Sequence, residues 1–270
     1  MEERLQKILS QRGIASRRQA EMMILTGRVQ LNGVTAHVGQ KANPEADVIT
    51  IDGQQLQHYG TPELSYLLLN KPAGVVSTCR DPQGRSTVLD LLPTQWQQQG
   101  LHPVGRLDAD STGALLLTND GSITFYLTHP RHHVPKTYQV WVKGNPSAAI
   151  LQQWRRGIVL LGRKTLPAQV RVLAHCPDPA RTCLEITLCE GRNRQIRRVA
   201  EQLGHPVLHL KRWAIGPIQL GNLPSGQWRS LTEPEIKALK RESQRVCDSF
   251  VTPKAYRVFG VLTASEERRL

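Results

Sequence analysis

The sequence lacks the features that would place it in several large classes. It contains no run of about 18 apolar residues, so no membrane-spanning helix is expected. The opening stretch MEERLQKILSQRG is too charged for the apolar centre of a secretion signal. Five cysteines, Cys79, Cys176, Cys183, Cys189 and Cys247, are scattered without a C-x-x-C pair, which argues against a disulfide framework and a zinc site alike. They read as reduced packing residues. The histidines add no metal case, because His132 and His133 are adjacent and Pro206 interrupts the segment from His205 to His209. No internal repeat is visible, and TQWQQQG is too short to count as low complexity. The expectation is a cytoplasmic protein with no bound metal and no membrane partner.

What is present is positive charge. Lys and Arg number 35 against 22 Asp and Glu, a formal net charge of +13 with pI about 10.0. A polyanionic partner is implied, nucleic acid rather than a membrane surface. The charge is uneven: residues 1–60 hold 7 basic and 6 acidic residues, residues 61–240 hold 22 and 12, and residues 241–270 hold 6 and 4. The middle segment therefore carries the electrostatic footprint. A chain of 270 residues has a length at which one hydrophobic core usually stops growing, so a large domain with a smaller one is expected.

The first 60 residues read as the smaller domain. Leu5, Ile8 and Leu9 mark an amphipathic helix ended by Gly13, and Ser16 with Gln19 forms a capping box for a second helix running towards Gly27. RVQLNGVTAHVG alternates around Asn32-Gly33, a hairpin signal, and DVITIDG supplies another strand. Arg17 and Arg18 fall in the first turn of the second helix, where the helix dipole disfavours cations unless a phosphate lies close. Gln57 to Glu63 reads as a linker. Beyond it SYLLLNKP, KTYQVWVKG and TCLEITLCEG are strand patterns separated by irregular or short helical segments, which predicts an α+β domain with a mixed, largely antiparallel sheet flanked by helices.

Three stretches could carry chemistry. GRLDADSTGALLLTNDG offers Asp108, Asp110 and Asp120, among which spacing alone does not choose. In EGRNRQIRRVAEQLGHP the apolar positions Ile196, Val199, Ala200 and Leu203 predict a helix beginning near Arg192 or Arg194. That start gathers Arg192, Arg194, Arg197 and Arg198, whose mutual repulsion calls for RNA phosphate or a buried carboxylate. Tyr138 shares a strand face with Val140 and Val142, which suits an ordinary core tyrosine or a platform on which an extruded base stacks.

ASRRQAE, TGRVQLNG and VITIDG together resemble the alpha-L RNA-binding domain. In order, LNKPAGVVST, GRLDADSTGALLLTNDG, KTYQVWVKG and EGRNRQIRRVAEQLGHPVLHLKR resemble the motifs of the pseudouridine synthases. The match is to the branch that joins an alpha-L domain to a catalytic domain and modifies ribosomal RNA. It covers about residues 3 to 240, with Gly105 before Arg106 favouring this branch.

The resemblance implies a catalytic Asp108, a base-stacking Tyr138 and Arg197 as the basic partner that keeps Asp108 charged, with Asp110 and Asp120 structural. Asp110 would serve a tight turn, and TNDG would turn a hairpin. Arg17, Arg18, Arg106, Arg192 and Arg194 would hold RNA. The implied partner is ribosomal RNA or a pre-ribosomal particle, leaning to the large subunit, bound by a monomer that needs no cofactor. Ala114 stands where the family commonly has Leu, a change confined to packing. The rival reading is a non-catalytic ribosome-assembly factor on the same scaffold. A metal-dependent nuclease would need clustered carboxylates. The tail 241–270 has no counterpart in the resemblance.

Overall fold

The computed structural model describes residues 2–56, 63–97 and 99–249. The linker expected over Gln57 to Glu63 lies almost wholly outside the described residues, as does most of the tail. The N-terminal module opens with helices α1 (Leu5–Gln11) and α2 (Arg17–Leu25). The capping box at α2 is formed: Ser16 Oγ accepts from Gln19 N at 3.3 Å, and Gln19 Oε1 accepts from Ser16 N at 3.1 Å. Four short strands follow, β1 (Val29–Leu31), β2 (Val34–Thr35), β3 (Ile49–Ile51) and β4 (Gln54–Gln55), in the sheet order β2-β1-β3-β4. Asn32-Gly33 turns between β1 and β2 with φ of 52° and 81°, and Asp52-Gly53 between β3 and β4 with 48° and 78°. Both are the doubly positive turns that Asn-Gly and Asp-Gly favour. Leu5, Ile8, Leu9, Ile24 and Val29 form the buried core of this module.

The larger domain is built on one twisted sheet. Its principal strands are β5 (Tyr66–Lys71), β6 (Thr112–Thr118), β7 (Lys136–Lys143), β8 (Gln169–Cys176), β9 (Arg181–Leu188), β10 (Val207–Ile215) and β11 (Trp228–Ser230). Their spatial order is β8-β9-β7-β10-β6-β5-β11. Every neighbouring pair on this path is antiparallel except β10 with β6, so the sheet is mixed and largely antiparallel. Helices α3 (Gly121–Thr128), α4 (Ala148–Arg156), α5 (Gln195–Gln202) and α6 (Glu233–Ser249) pack around it. Helix α6 runs across position 240.

The continuous apolar run in SYLLLNKP follows from burial of β5 on both faces. Leu67 and Leu69 join one core with Leu115, Leu117, Val140 and Ile186, while Tyr66 and Leu68 join the opposite one with Ala114, Leu116 and Ile123. Ala114 is fully buried in that second core. TNDG does not turn a hairpin: Asp120 caps α3, its Oδ1 accepting from Ser122 N at 2.9 Å and Ile123 N at 3.3 Å. The helix prevails because Asp120 is also held from behind, by the buried Tyr66 hydroxyl donating to Oδ2 at 2.7 Å.

Two irregularities shape the centre of the sheet. Opposite Thr137 and Tyr138, strand β10 shifts register so that Trp213 is left unpaired between Arg212 and Ala214. A bulge of this kind bends a strand and re-aims its side chains. On the other side of β10, Gly113 lies beside Arg212 in the parallel pair. A Cβ on Gly113 would sit 2.2 Å from the Arg212 carbonyl oxygen. Only glycine permits the two strands to meet so closely.

Candidate active site

A cleft of about 660 Å³ opens over the β7 and β10 region of the sheet, walled by the loop from Gly105 to Ser111, the segment around His129 and Val134, and the segment from Leu188 to Arg197. Asp108, Tyr138, Arg106, Arg192, Arg194 and Arg197 all line it. The fold thus gathers six residues that lie up to 91 positions apart in the chain, between Arg106 and Arg197.

Asp108 stands in the loop before β6, its side chain about one-third exposed at 34%. The loop is fixed from several directions. Ser111 N donates to the Asp108 carbonyl at 3.0 Å, closing a tight turn, and Gly74 N donates to the Ala109 carbonyl at 2.8 Å. Ser77 Oγ donates to the Leu107 carbonyl at 2.9 Å and accepts from Leu107 N at 3.2 Å. Beneath it lies Lys71, with no exposed surface. Its Nζ donates to the carbonyls of Pro72 at 2.8 Å and Ser111 at 3.0 Å. Burial pushes the Lys71 ammonium down to about 8, against the opposing pull of Asp110 and Asp108. The carboxylate of Asp108 is therefore presented by a backbone that has little freedom to move.

The arginines pair differently from the sequence expectation. The resemblance pairs Arg197 with Asp108, but Arg194 is the residue that reaches it, Nη1 to Oδ2 at 3.5 Å. Arg194 also holds Asp110, Nη2 to Oδ2 at 2.9 Å. Arg197 Nη2 donates to the Asp110 carbonyl at 3.0 Å and to Ser111 Oγ at 3.3 Å, and lies 3.4 Å from Asp110 Oδ1. The cause is local. Arg194 precedes α5 in the left-handed conformation, φ 50°, and swings out to the carboxylates. Arg197 is the third residue of the helix, within its first turn, and its guanidinium meets the Asp110 turn through the Asp110 carbonyl and Ser111 Oγ. Asp110 is more than a turn former: the Arg194 hydrogen bond, joined by the charge of Arg197, holds its carboxyl below the usual carboxylate range.

The other expected RNA contacts have distinct surroundings. Arg192 is tied into the protein, Nε to Glu190 Oε2 at 3.0 Å, Nη1 to the Arg163 carbonyl at 3.0 Å and Nη2 to the Lys164 carbonyl at 2.6 Å. It clamps the short hairpin at 159–164 to the rim of the cleft. Arg106 is exposed at the rim. Arg17 and Arg18 are exposed on α2. The Arg17 guanidinium reaches the start of α3, 3.2 Å from where a Cβ on Gly121 would be, and Arg18 borders a shallow groove with Ile14, Met22 and Arg28. Tyr138 is 9% exposed and belongs to the core while also lining the cleft.

Three cations in this region have no role assigned by sequence: Lys71, Lys136 and Arg212. Lys136 and Arg212 line the cleft, and Arg212 is 3% exposed. Lys71 and Arg212 lie inside the stretches LNKP and LHLKR, and Lys136 begins KTYQVWVKG. Nothing in their spacing separates a buried site lysine from a strand-end lysine at the surface.

Comparison with known proteins identifies the family. Residues 65–202 match the family model for RNA pseudouridylate synthase, and residues 3–48 match the S4 domain. Ribosomal large subunit pseudouridine synthase B of Bacillus subtilis (strain 168) is 41% identical over 239 residues, covering 88% of this chain and 96% of that protein. An uncharacterized RNA pseudouridine synthase of Aquifex aeolicus (strain VF5) is 40% identical over 241 residues, covering 88% and 94%. The crystal structure of a pseudouridylate synthase superposes with a TM-score of 0.63 at 32% identity, covering 87% of this chain and 99% of that one. With its S4 domain ahead of the cleft that holds Asp108, this chain belongs to the RNA pseudouridylate synthase family.

Proposed function

We propose that the chain converts one uridine of ribosomal RNA, in the large subunit, to pseudouridine, with Asp108 as nucleophile or base. The observation that carries the reading is a partly exposed carboxylate fixed by a braced loop in the wall of a cleft of about 660 Å³, with Tyr138 also in the cleft lining. The Bacillus subtilis and Aquifex aeolicus relatives are both pseudouridine synthases, and the Bacillus subtilis protein bears a large-subunit name. In the reaction the N1–C1′ bond of the target nucleoside breaks and a C5–C1′ bond forms. The C5 hydrogen leaves as a proton and N1 gains one. Nothing is oxidised, hydrolysed or donated, so no metal or cofactor enters the scheme.

The residues take the following parts. The target uridine leaves its stack, at a cost of a few kcal/mol, and stacking on Tyr138 returns part of it. Arg194 holds Asp108 towards the sugar, and Arg197 steadies the turn behind it. Arg106 faces the displaced backbone at the rim, where Arg192 keeps the wall in place. Arg17 and Arg18 belong to an RNA-binding module spanning residues 1–60, and residues 61–240 form the catalytic domain, followed by the extension 241–270. The chain works as a cytoplasmic monomer on rRNA or a pre-ribosomal particle.

The test is to incubate the purified chain with protein-free large-subunit and small-subunit rRNA and map pseudouridine in both. The wild-type chain should form it in the large-subunit rRNA. Asp108→Asn should form none while keeping RNA affinity and thermal stability, because the substitution preserves size and removes only the charged group. Turnover by Asp108→Asn would exclude Asp108 from the chemistry. Modification confined to small-subunit rRNA would correct the substrate.

A further inference from the structure

Arg212 is buried beside Tyr138 and has one donor without a partner. It stands on β10 between Tyr138 on one neighbouring strand and Gly113 on the other, next to the bulge at Trp213. Its Nε donates to the Ala114 carbonyl at 2.7 Å, and its Nη1 is 3.4 Å from the Arg106 carbonyl. Its Nη2 is buried with no hydrogen-bond partner, although the residue lines the cleft. Among the described residues no carboxylate pairs with Arg212 or with Lys136, whose Nζ donates to the Val134 carbonyl at 3.0 Å.

A buried guanidinium with an unmet donor is costly. The neighbouring cation adds to the cost: burial, and then the charge of Arg212, push Lys136 down to about 8. An acceptor carrying negative charge would relieve both groups. The RNA backbone is a poor fit for that position, because a phosphate stays with its ribose at the mouth, whereas Arg212 is 3% exposed and lies against Tyr138. The part of the substrate that reaches so deep is the base, and the acceptors of uracil are its O2 and O4.

We propose that Arg212 is a further catalytic residue, whose Nη2–H donates to a carbonyl oxygen of the extruded uracil and stabilises the negative charge on the detached base. The proposal rests on the uridine-isomerising function proposed for the chain. When the N1–C1′ bond breaks, its electron pair leaves with uracil and spreads over N1, O2 and O4. The guanidinium, fixed in advance by Ala114 and Arg106, meets that charge without rearranging. When C5 joins C1′ the pair forms the new bond, and loss of the C5 proton with protonation of N1 restores the conjugated ring. Lys136 adds a second positive charge to the same cleft.

The experiment is a cycle between enzyme and substrate. Single-turnover rates are measured at the mapped uridine for wild type, Arg212→Gln and Arg212→Lys, on RNA carrying uridine, 2-thiouridine or 4-thiouridine there. Sulfur accepts hydrogen bonds poorly, so one thio substitution should slow the wild type. Arg212→Gln should lose roughly 100- to 1000-fold in rate with RNA affinity unchanged, Arg212→Lys should retain part of the activity, and the sensitive thio substitution should cost Arg212→Gln little more. Rates of Arg212→Gln equal to wild type would overturn the proposal. So would a slow variant in which the thio effect seen in the wild type persists at full size, since Arg212 would then act only through the Arg106 and Ala114 backbone. If the variants fail to fold, the wild-type thio series decides, and insensitivity to both substitutions overturns the contact. A wild-type chain that forms no pseudouridine anywhere refutes the underlying reading instead.

Discussion

Gly113 sets how closely the two strands below the cleft can approach. Its φ is 104°, and an added Cβ would lie 2.2 Å from the Arg212 carbonyl oxygen and 2.7 Å from its nitrogen. Backbone strain and steric conflict act together there, so Gly113→Ala should destabilise the domain by about 3 kcal/mol or more in denaturant unfolding. Gly33→Ala is the matched control: φ is 81° but nothing lies within 4 Å of the added atom, and only the conformational cost of about 1 kcal/mol remains. Equal destabilisation at the two positions would show that the close approach to Arg212 is not limiting. At this scale the sequence was informative where a residue type is rare in its setting. That Asp108 and Tyr138 would line one cleft could be expected from motif order. The pairing of Arg194 with Asp108 did not, because EGRNRQIRR contains arginines of identical chemistry and only the left-handed backbone at Arg194 decides which one turns outward.

Two strands of the sheet carry a lysine withdrawn from solvent at one end: Lys71, fully buried, ends β5, and Lys136, half-buried, begins β7. Both are pushed down to about 8 from 10.5, chiefly by burial. Below about pH 8 both lysines are protonated whether folded or unfolded, and the cost of burying the charge is fully present. Between about 8 and 10.5 the unfolded chain keeps protons the folded chain has released, so stability should rise with pH. Each lysine contributes a slope approaching about 1.4 kcal/mol per pH unit. The buried tyrosines act in the opposite sense at higher pH. Tyr126 is pushed up to about 12, and Tyr66 higher still, both chiefly by burial, so above about pH 10 the unfolded chain loses tyrosine protons first and stability should fall. Denaturant midpoints should therefore climb from pH 8 and turn over near pH 10, with the climb reduced in Lys136→Met. A flat or falling curve through that range would mean the lysines are solvated. Strand positions were readable from alternation in KTYQVWVKG and from the apolar run in SYLLLNKP. The bulge at Trp213 was not, because it inserts a residue without changing the apolar pattern, and TNDG carried turn chemistry that served equally well as a helix cap.

Across the whole molecule charge is divided unequally, 7 basic and 6 acidic residues in the first 60 against 22 and 12 in the next 180. Most of the salt-dependent affinity for RNA should therefore reside in the larger domain. Replacing Arg17 and Arg18 together by Ala should reduce the slope of log affinity against log salt by somewhat under one unit for each phosphate that the protein no longer neutralises, with single-turnover rates on bound RNA little changed. An unchanged slope would remove these two residues from the RNA interface, and Arg17 would then be read through its position against α3. The division into modules was legible because capping, hairpin and strand signals each have a local cause. The approach of the Arg17 guanidinium to the start of α3 depends on how distant segments meet, which no local pattern encodes.

The most direct measurement is a map of pseudouridine over both ribosomal RNAs in cells lacking the gene, in cells restored with the wild-type gene, and in cells restored with Asp108→Asn. The account predicts that a large-subunit uridine loses its modification with the gene, regains it with the wild type, and stays unmodified with Asp108→Asn. Full restoration by Asp108→Asn, or maps identical in all three strains, would contradict it.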